Sequence, residues 1–161
     1  MTATPPQELA KSLHNCQRCK LAKLGRSQVV FGVGNPHASV MFVGEAPGFH
    51  EDQQGEPFVG AAGKLLNDLL QSAGLSRGDI YIANVIKCRP PNNRDTETAE
   101  GETCKTLVMQ QIAMIRTKLV CTIGSWATQA LMYLKDVIAR VRCQQFYLEA
   151  CVLYPLLNPP L

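Results

Sequence analysis

Three carboxylates crowd one glycine-rich stretch of this chain, Gly44-Glu45-Ala46-Pro47-Gly48-Phe49-His50-Glu51-Asp52. A second stretch, Gly55-Glu56-Pro57-Phe58-Val59-Gly60-Ala61-Ala62-Gly63, follows directly. Carboxylates grouped this way can orient a water, accept a proton or face a developing cation. They would repel a phosphate, and neither Gly-x4-Gly-Lys-Ser/Thr nor Gly-x-Gly-x-x-Gly occurs among them. Beside the aromatic ring of Phe58 they suit a flat ligand with water or positive charge next to it.

The cysteines are the second chemical signal. There are seven, and Cys16-Gln17-Arg18-Cys19 makes a C-x2-C pair in a basic, loop-like segment. Cys88 follows a strand and Cys104 lies in the next segment, whereas Cys121, Cys143 and Cys151 lie in apolar runs and read as buried thiols. The first ten residues are polar and contain proline, with no apolar signal core, which points to a reducing cytoplasm. There a C-x2-C means metal or redox chemistry rather than a structural disulfide. Cys16 does not follow a strand, as a thioredoxin-like motif would. Four thiolates with no nearby histidine can hold zinc or an iron–sulfur cluster, and the gap from Cys19 to Cys88 fits no common zinc ribbon.

Both signals need elements to position them. The apolar run Val40–Val43 ends at Gly44 as a buried parallel strand does on entering a turn. Further strands are predicted at Ile80–Val85, Leu119–Ile123 and Cys151–Tyr154, with Gln28–Phe31 as a short edge element. Helices are predicted at Pro6–His14, Ala61–Ala73, Thr103–Ile115 and Trp126–Leu134. Strands alternating with helices argue a three-layer α/β/α sandwich around a central four-stranded parallel sheet. The acidic loop then sits at the carboxyl end of a strand, where ligands bind in such sheets.

Length and composition agree. The 161 residues fit one domain, the 46% apolar content is ample for a core, and no run is long enough to span a membrane. A formal charge of +3 is too small to argue for nucleic acid by itself. The basic residues do cluster, however, as Lys11, Arg18, Lys20, Lys23 and Arg26 near the first cysteine pair and Lys87, Arg89 and Arg94 near Cys88. Such a patch can grip phosphates.

Asn84-Val85-Ile86-Lys87-Cys88-Arg89-Pro90-Pro91 joins these features. Together with the Gly-Glu-Ala-Pro-Gly-x-x-Glu-Asp and Gly-x-Pro-Phe-Val-Gly-x-Ala-Gly stretches, it makes the chain resemble the family 4, iron–sulfur uracil-DNA glycosylases. The resemblance runs from about Leu13 to about Trp126 and more faintly to Leu161. It implies a DNA-repair enzyme that hydrolyses the N-glycosidic bond of uracil and leaves an abasic site. It also implies a [4Fe-4S] cluster held at the positions of Cys16, Cys19, Cys88 and Cys104. The target base must leave the duplex, since its glycosidic carbon is unreachable inside the stack. By the same resemblance Phe58 stacks on the extruded ring and Asn84 offers a donor and an acceptor to the uracil edge. Backbone N–H groups at Glu45 and Ala46 face the base oxygens, Glu45 orients water beside the sugar, and Glu51 and Asp52 hold the loop or that water.

The carboxyl end departs from the family. Val152-Leu153-Tyr154-Pro155-Leu156-Leu157-Asn158-Pro159-Pro160-Leu161 puts Asn158 where the family has a catalytic histidine, and Cys143 replaces a usual glycine. The family's duplex wedge and final helix do not follow, so the domain is expected to be incomplete at that end and its activity lowered. The expected partner is uracil-containing DNA, single- or double-stranded, with no membrane, and the chain is expected to act as a nucleoid-associated monomer. Two other readings compete: an iron–sulfur protein that binds DNA without turnover, and a small zinc or redox protein.

Overall fold

The computed structural model describes residues 4–132, 144–148 and 151–156. One six-stranded sheet runs through it, with strands β1 (Val33–Gly34), β2 (Val40–Gly44), β3 (Tyr81–Asn84), β4 (Leu119–Ile123), β5 (Phe146–Leu148) and β6 (Cys151–Leu156). The helices are α1 (Pro5–Ser12), α2 (Phe49–Gln54), α3 (Ala61–Ser72), α4 (Thr98–Ile115) and α5 (Ser125–Met132). Strand order is β1-β3-β2-β4-β6-β5. The inner four strands pair in parallel, and β1 and β5 add antiparallel edges. The expected parallel four-stranded core is present, and the whole sheet is mixed.

Alternation along the strands sends side chains into two cores. Met41, Val43, Tyr81, Ala83 and Val120 pack with Val108 and Ile112 of α4 and with Ala127 and Leu131 of α5. Phe42, Ile82, Cys121 and Ile123 pack on the other face with Leu66 and Leu70 of α3. Helices therefore cover both faces, as a buried parallel sheet requires. The central strands β2 and β3 are almost wholly buried, and both run toward one end of the sheet, which carries the loops that matter here.

Two expected elements depart from expectation by more than two residues. Gln28–Phe31 is not a ladder strand: Val30 gives one bond, to the Lys87 carbonyl at 2.7 Å, and pairing begins three residues later at Val33. Gly34 has φ of 135°, and a Cβ there would stand 2.1 Å from the Ile80 carbonyl oxygen, so the close approach that makes the edge needs glycine. Helix α4 starts at Thr98, not Thr103, because Glu97 and Glu100 form a capping box ahead of its polar first turn. Among the described residues no helix is long and apolar enough to cross a membrane.

Candidate functional site

Strands β2 and β3 stay in register to their ends, with Gly44 opposite Asn84. The pairing continues beyond them: Val85 donates to the Gly44 carbonyl and Ile86 to the Glu45 carbonyl, both at 2.9 Å. This locks Glu45 beside the turn that leads to Cys88. Gly44 is the meeting point of the site. A Cβ on it would stand 2.5 Å from the Asn84 amide oxygen and 2.5 Å from the tip of the Phe58 ring. The ring and the amide thus converge over a bare backbone. Asn84 is buried at 3% exposure, and among the described residues nothing hydrogen-bonds its side-chain amide, which faces an open cleft. A buried amide of this kind is an unfilled donor–acceptor pair.

Phe58 is held there against its own preference. Its φ of 55° is left-handed, a conformation that is rare for a bulky residue. Three contacts enforce it. Arg77 donates from Nη2 to the Pro57 carbonyl at 2.7 Å and from Nη1 to the Phe58 carbonyl at 2.9 Å. Glu51 Oε1 accepts from the Val59 and Gly60 amides, each at 3.0 Å. Gly63 packs so tightly that a Cβ on it would lie 1.8 Å from the Phe58 carbonyl oxygen. Arg77 was not visible as a site residue in the sequence, since it lies in a polar turn 19 positions from the carbonyl it holds.

The three carboxylates of the acidic loop part company. Glu45 and Glu51 line the cleft. Asp52 does not: it is buried at 1% exposure and accepts from the Ser27 amide at 2.9 and 3.0 Å. Asp52 therefore ties α2 to the segment before Val29 and leaves the water to others. Glu45 is half-buried, and its Oε1 accepts the Thr96 hydroxyl at 2.8 Å and the Thr96 amide at 3.4 Å. No other bond to this carboxylate occurs among the described residues, so Oε2 stays open to the cleft.

Thr96 is a second residue that no motif or periodicity singles out. Its segment is braced from below. Arg94 forks onto Glu100 at 2.5 and 3.0 Å, and Glu100 also accepts the Glu97 amide at 2.9 Å. That fork holds the Glu100 carboxyl below its ordinary range and the Arg94 guanidinium above its own. The cleft that results measures about 800 Å³ and is lined by Glu45, Ala46, Phe49, Phe58, Asn84 and Arg94 among others. Asn158 lies outside the described residues, as does Cys143.

Cys16, Cys19, Cys88 and Cys104 line one enclosed cavity. Cys88 and Cys104 are buried at 2% and 4% exposure. Burial pushes the Cys104 thiol up to about 11 and the Cys88 thiol upward as well, so thiolates there need cations beside them. One is present: Arg26 donates to Cys88 Sγ at 2.9 Å and to the Cys16 carbonyl at 2.7 Å. Among the described residues no group of His, Cys, Asp or Glu converges tightly enough to hold a metal ion. The four cysteines share the lining of one small cavity of about 10 Å³ with Leu13, Arg26, Lys87 and Leu107 among others. Cys121 and Cys151 belong to the two cores flanking the sheet, away from this cavity.

Between the cavity and the cleft runs a buried lysine. Lys87 Nζ donates to the Asn84 carbonyl at 2.6 Å, to the Phe31 carbonyl at 3.0 Å and to the Gln111 side-chain oxygen. Burial lowers its ammonium to about 7, against the pull of the Cys104 and Cys88 charges. The turn carrying the cysteines and the strand end carrying Asn84 are thereby fastened to one side chain.

Residues 31–159 match the model of the uracil DNA glycosylase superfamily. The chain is 44% identical over 146 residues to a type-4 uracil-DNA glycosylase of Archaeoglobus fulgidus, covering 88% of this chain and 73% of that protein. It is 48% identical over 124 residues to the type-4 enzyme of Saccharolobus solfataricus, covering 76% and 57%. With the type-4 enzyme of Thermotoga maritima it shares 42% over 135 residues, covering 83% and 70%. The chain therefore spans between just over half and three quarters of the length of these relatives.

Proposed function

This chain belongs to the uracil DNA glycosylase superfamily, in its type-4 branch, and we propose that it excises uracil from DNA by hydrolysing the N-glycosidic bond. The observation that carries the reading is the convergence of Phe58, Asn84 and Glu45 at the carboxyl ends of β2 and β3. An aromatic face, an unpartnered amide and an open carboxylate oxygen are what a displaced pyrimidine and its reacting sugar need.

The chemistry follows from these groups. The extruded uracil enters the cleft and stacks on Phe58, whose left-handed backbone aims the ring over Gly44. Asn84 donates to a uracil carbonyl and accepts from its N3–H. Cytosine presents the reverse pattern at those atoms and would leave the buried amide mismatched. As the bond from C1′ to N1 lengthens, positive charge grows on the sugar and negative charge on the base. Glu45 Oε2 orients a water toward C1′ and offsets the cation, while Thr96 fixes Oε1. The water oxygen bonds to C1′, its proton passes to Glu45 or solvent, and uracil departs with the electron pair. Backbone amides at Glu45 and Ala46 receive the charge on the base, and Glu51 keeps the loop in place.

The cysteine cavity supports a [4Fe-4S] cluster held by Cys16, Cys19, Cys88 and Cys104. The four sulfur donors line one cavity, and Arg26 brings a compensating charge. Bound there, the cluster would supply a structural clasp between the amino-terminal segment and the turn after β3, with no part in the hydrolysis. The partner is uracil-containing DNA, single- or double-stranded, met by a monomer in the cytoplasm at the nucleoid.

The test is strand cleavage, after alkali, of oligonucleotides carrying one uracil or one cytosine. We expect uracil-specific cleavage, and a Glu45→Gln variant slower by about 10²–10³. No cleavage at any salt concentration, or a variant as fast as its parent, would overturn the reading.

A further inference from the structure

Phe49 stands half out of solvent at the mouth of the cleft, with 50% of its surface exposed. A large apolar ring left in water at the rim of a site is a cost that a ligand would remove. Arg89 lies over this ring, its guanidinium carbon 5.0 Å from the centroid. The arginine is held there: Nε donates to Asn93 Oδ1 at 2.8 Å. Asn93 is delivered by two consecutive left-handed residues, Asn92 and Asn93, with φ of 52° and 53°. Asparagine tolerates that conformation better than most residues. Among the described residues Arg89 makes no ion pair with a carboxylate. Its terminal nitrogens are thus available beside an exposed aromatic face.

The cleft itself is larger than one base requires. At about 800 Å³ it lies in the range for ligands of many heavy atoms, and Phe49, Pro90 and Asn93 line it together with Gly44, Phe58 and Asn84. Arg89 covers one face of the ring and His50 meets it edge-on at 5.5 Å, yet half of Phe49 stays exposed. That exposed aromatic surface, with a guanidinium whose terminal nitrogens carry no carboxylate, matches the two halves of a nucleotide, a flat base and an anionic phosphate.

We infer that Phe49 and Arg89 form a seat for the nucleotide adjacent to the extracted uracil, the base stacking on Phe49 and its phosphate pairing with Arg89. The inference rests on the uracil-excision reading and adds to it a contact to the strand outside the pocket. A seated neighbour would hold the strand open while uracil occupies the space over Gly44. Because stacking accepts any base, the seat would grip without selecting sequence.

The experiment compares the parent, Phe49→Ala, Phe49→Trp and Arg89→Ala on oligonucleotides whose uracil is flanked by normal nucleotides or by an abasic residue on either side. Inhibition by free uracil is measured alongside. We expect Phe49→Ala to raise KM about tenfold on the normal substrate. That penalty should vanish when the seated neighbour lacks a base, Phe49→Trp should restore KM, and uracil inhibition should not change. Arg89→Ala should reduce the slope of log KM against log salt by about one, as loss of a single phosphate contact does. A Phe49→Ala penalty that is absent, or equal on normal and both abasic-flanked substrates, overturns the seat and leaves uracil excision standing. If the parent neither excises uracil nor binds uracil-containing DNA, both readings fall.

Discussion

Thr96 donates its hydroxyl to Glu45 Oε1 at 2.8 Å across 51 positions of sequence. The bond decides which carboxylate oxygen is free. With Oε1 engaged, Oε2 is the one presented to the cleft, and the carboxylate cannot rotate without breaking a charge-assisted bond.

Removing that hydroxyl should therefore act on the rate of the chemical step. Thr96→Val keeps the shape and deletes the donor, and we expect kcat to fall on the order of tenfold with KM little changed. Thr96→Ser should recover most of the loss. Single-turnover excision rates check this; a fall in KM affinity with an intact kcat would mean that Thr96 serves the fold of its loop and not Glu45.

Gly44→Ala probes the convergence of Phe58 and Asn84 directly. The added methyl would meet side-chain atoms of both at 2.5 Å, so the ring and the amide must part. Neither contact is to backbone, and the sheet can survive. We expect free uracil to lose its inhibition and excision to drop at least a hundredfold, with the melting temperature lowered by a few degrees only. A variant that still binds uracil well would show that the base sits elsewhere in the cleft.

Much of this architecture is legible along the chain, and what is not has a physical reason. Leu119–Ile123 is the strand expected, and Val40–Gly44 extends the expected one by a single residue, because buried parallel strands are continuous apolar runs. Glu45, Phe58 and Asn84 can be picked out since each lies in a motif at a strand end. Thr96 and Arg77 cannot. Both act through polar contacts made between loops, and no periodicity marks such positions. The start of α4 hides for a related reason: its first turn, Thr98-Ala99-Glu100-Gly101, is polar, yet Glu100 is buried on Arg94. Gly101 packs where a Cβ would lie 2.8 Å from Trp126.

The Arg94–Glu100 fork gives the Thr96 segment a pH dependence. The groups around Glu100 are Arg94, Glu97 and Lys20, and the Arg94 bonds dominate in holding its carboxyl below the ordinary value. A depressed folded-state value adds stability that is fully present above the unfolded carboxyl's pKa of about 4.3 and disappears as pH falls through the folded one. Glu100→Gln should thus be less stable than the parent at neutral pH, and the gap in melting temperature should close on acidification. A gap that is constant from pH 7 to pH 3 would show that the fork contributes nothing through ionisation.

The cysteine cavity offers the clearest separation of structure from chemistry. If a cluster binds Cys16, Cys19, Cys88 and Cys104, it stabilises the folded chain because the unfolded chain cannot hold it. Cys16 sits beside the small core of Leu13, Phe31 and Leu107, through which the segment after α1 packs onto α4. Cys16→Ala should therefore bleach the broad visible absorption of the purified protein and lower its melting temperature by about ten degrees, equivalent to several kcal/mol in a chain of this size. Cys121→Ala is the control. Its thiol is buried in the core under α3 and pushed up to about 11 by that burial, so its loss should leave a small cavity and unchanged colour. Excision by Cys16→Ala measured well below its own melting temperature should approach the parent's rate, because the clasp positions Asn84 only through Lys87 and the turn between them. Colour retained in Cys16→Ala, or colour lost in Cys121→Ala, would break the assignment of the ligands. A colourless parent that contains zinc would replace the cluster altogether.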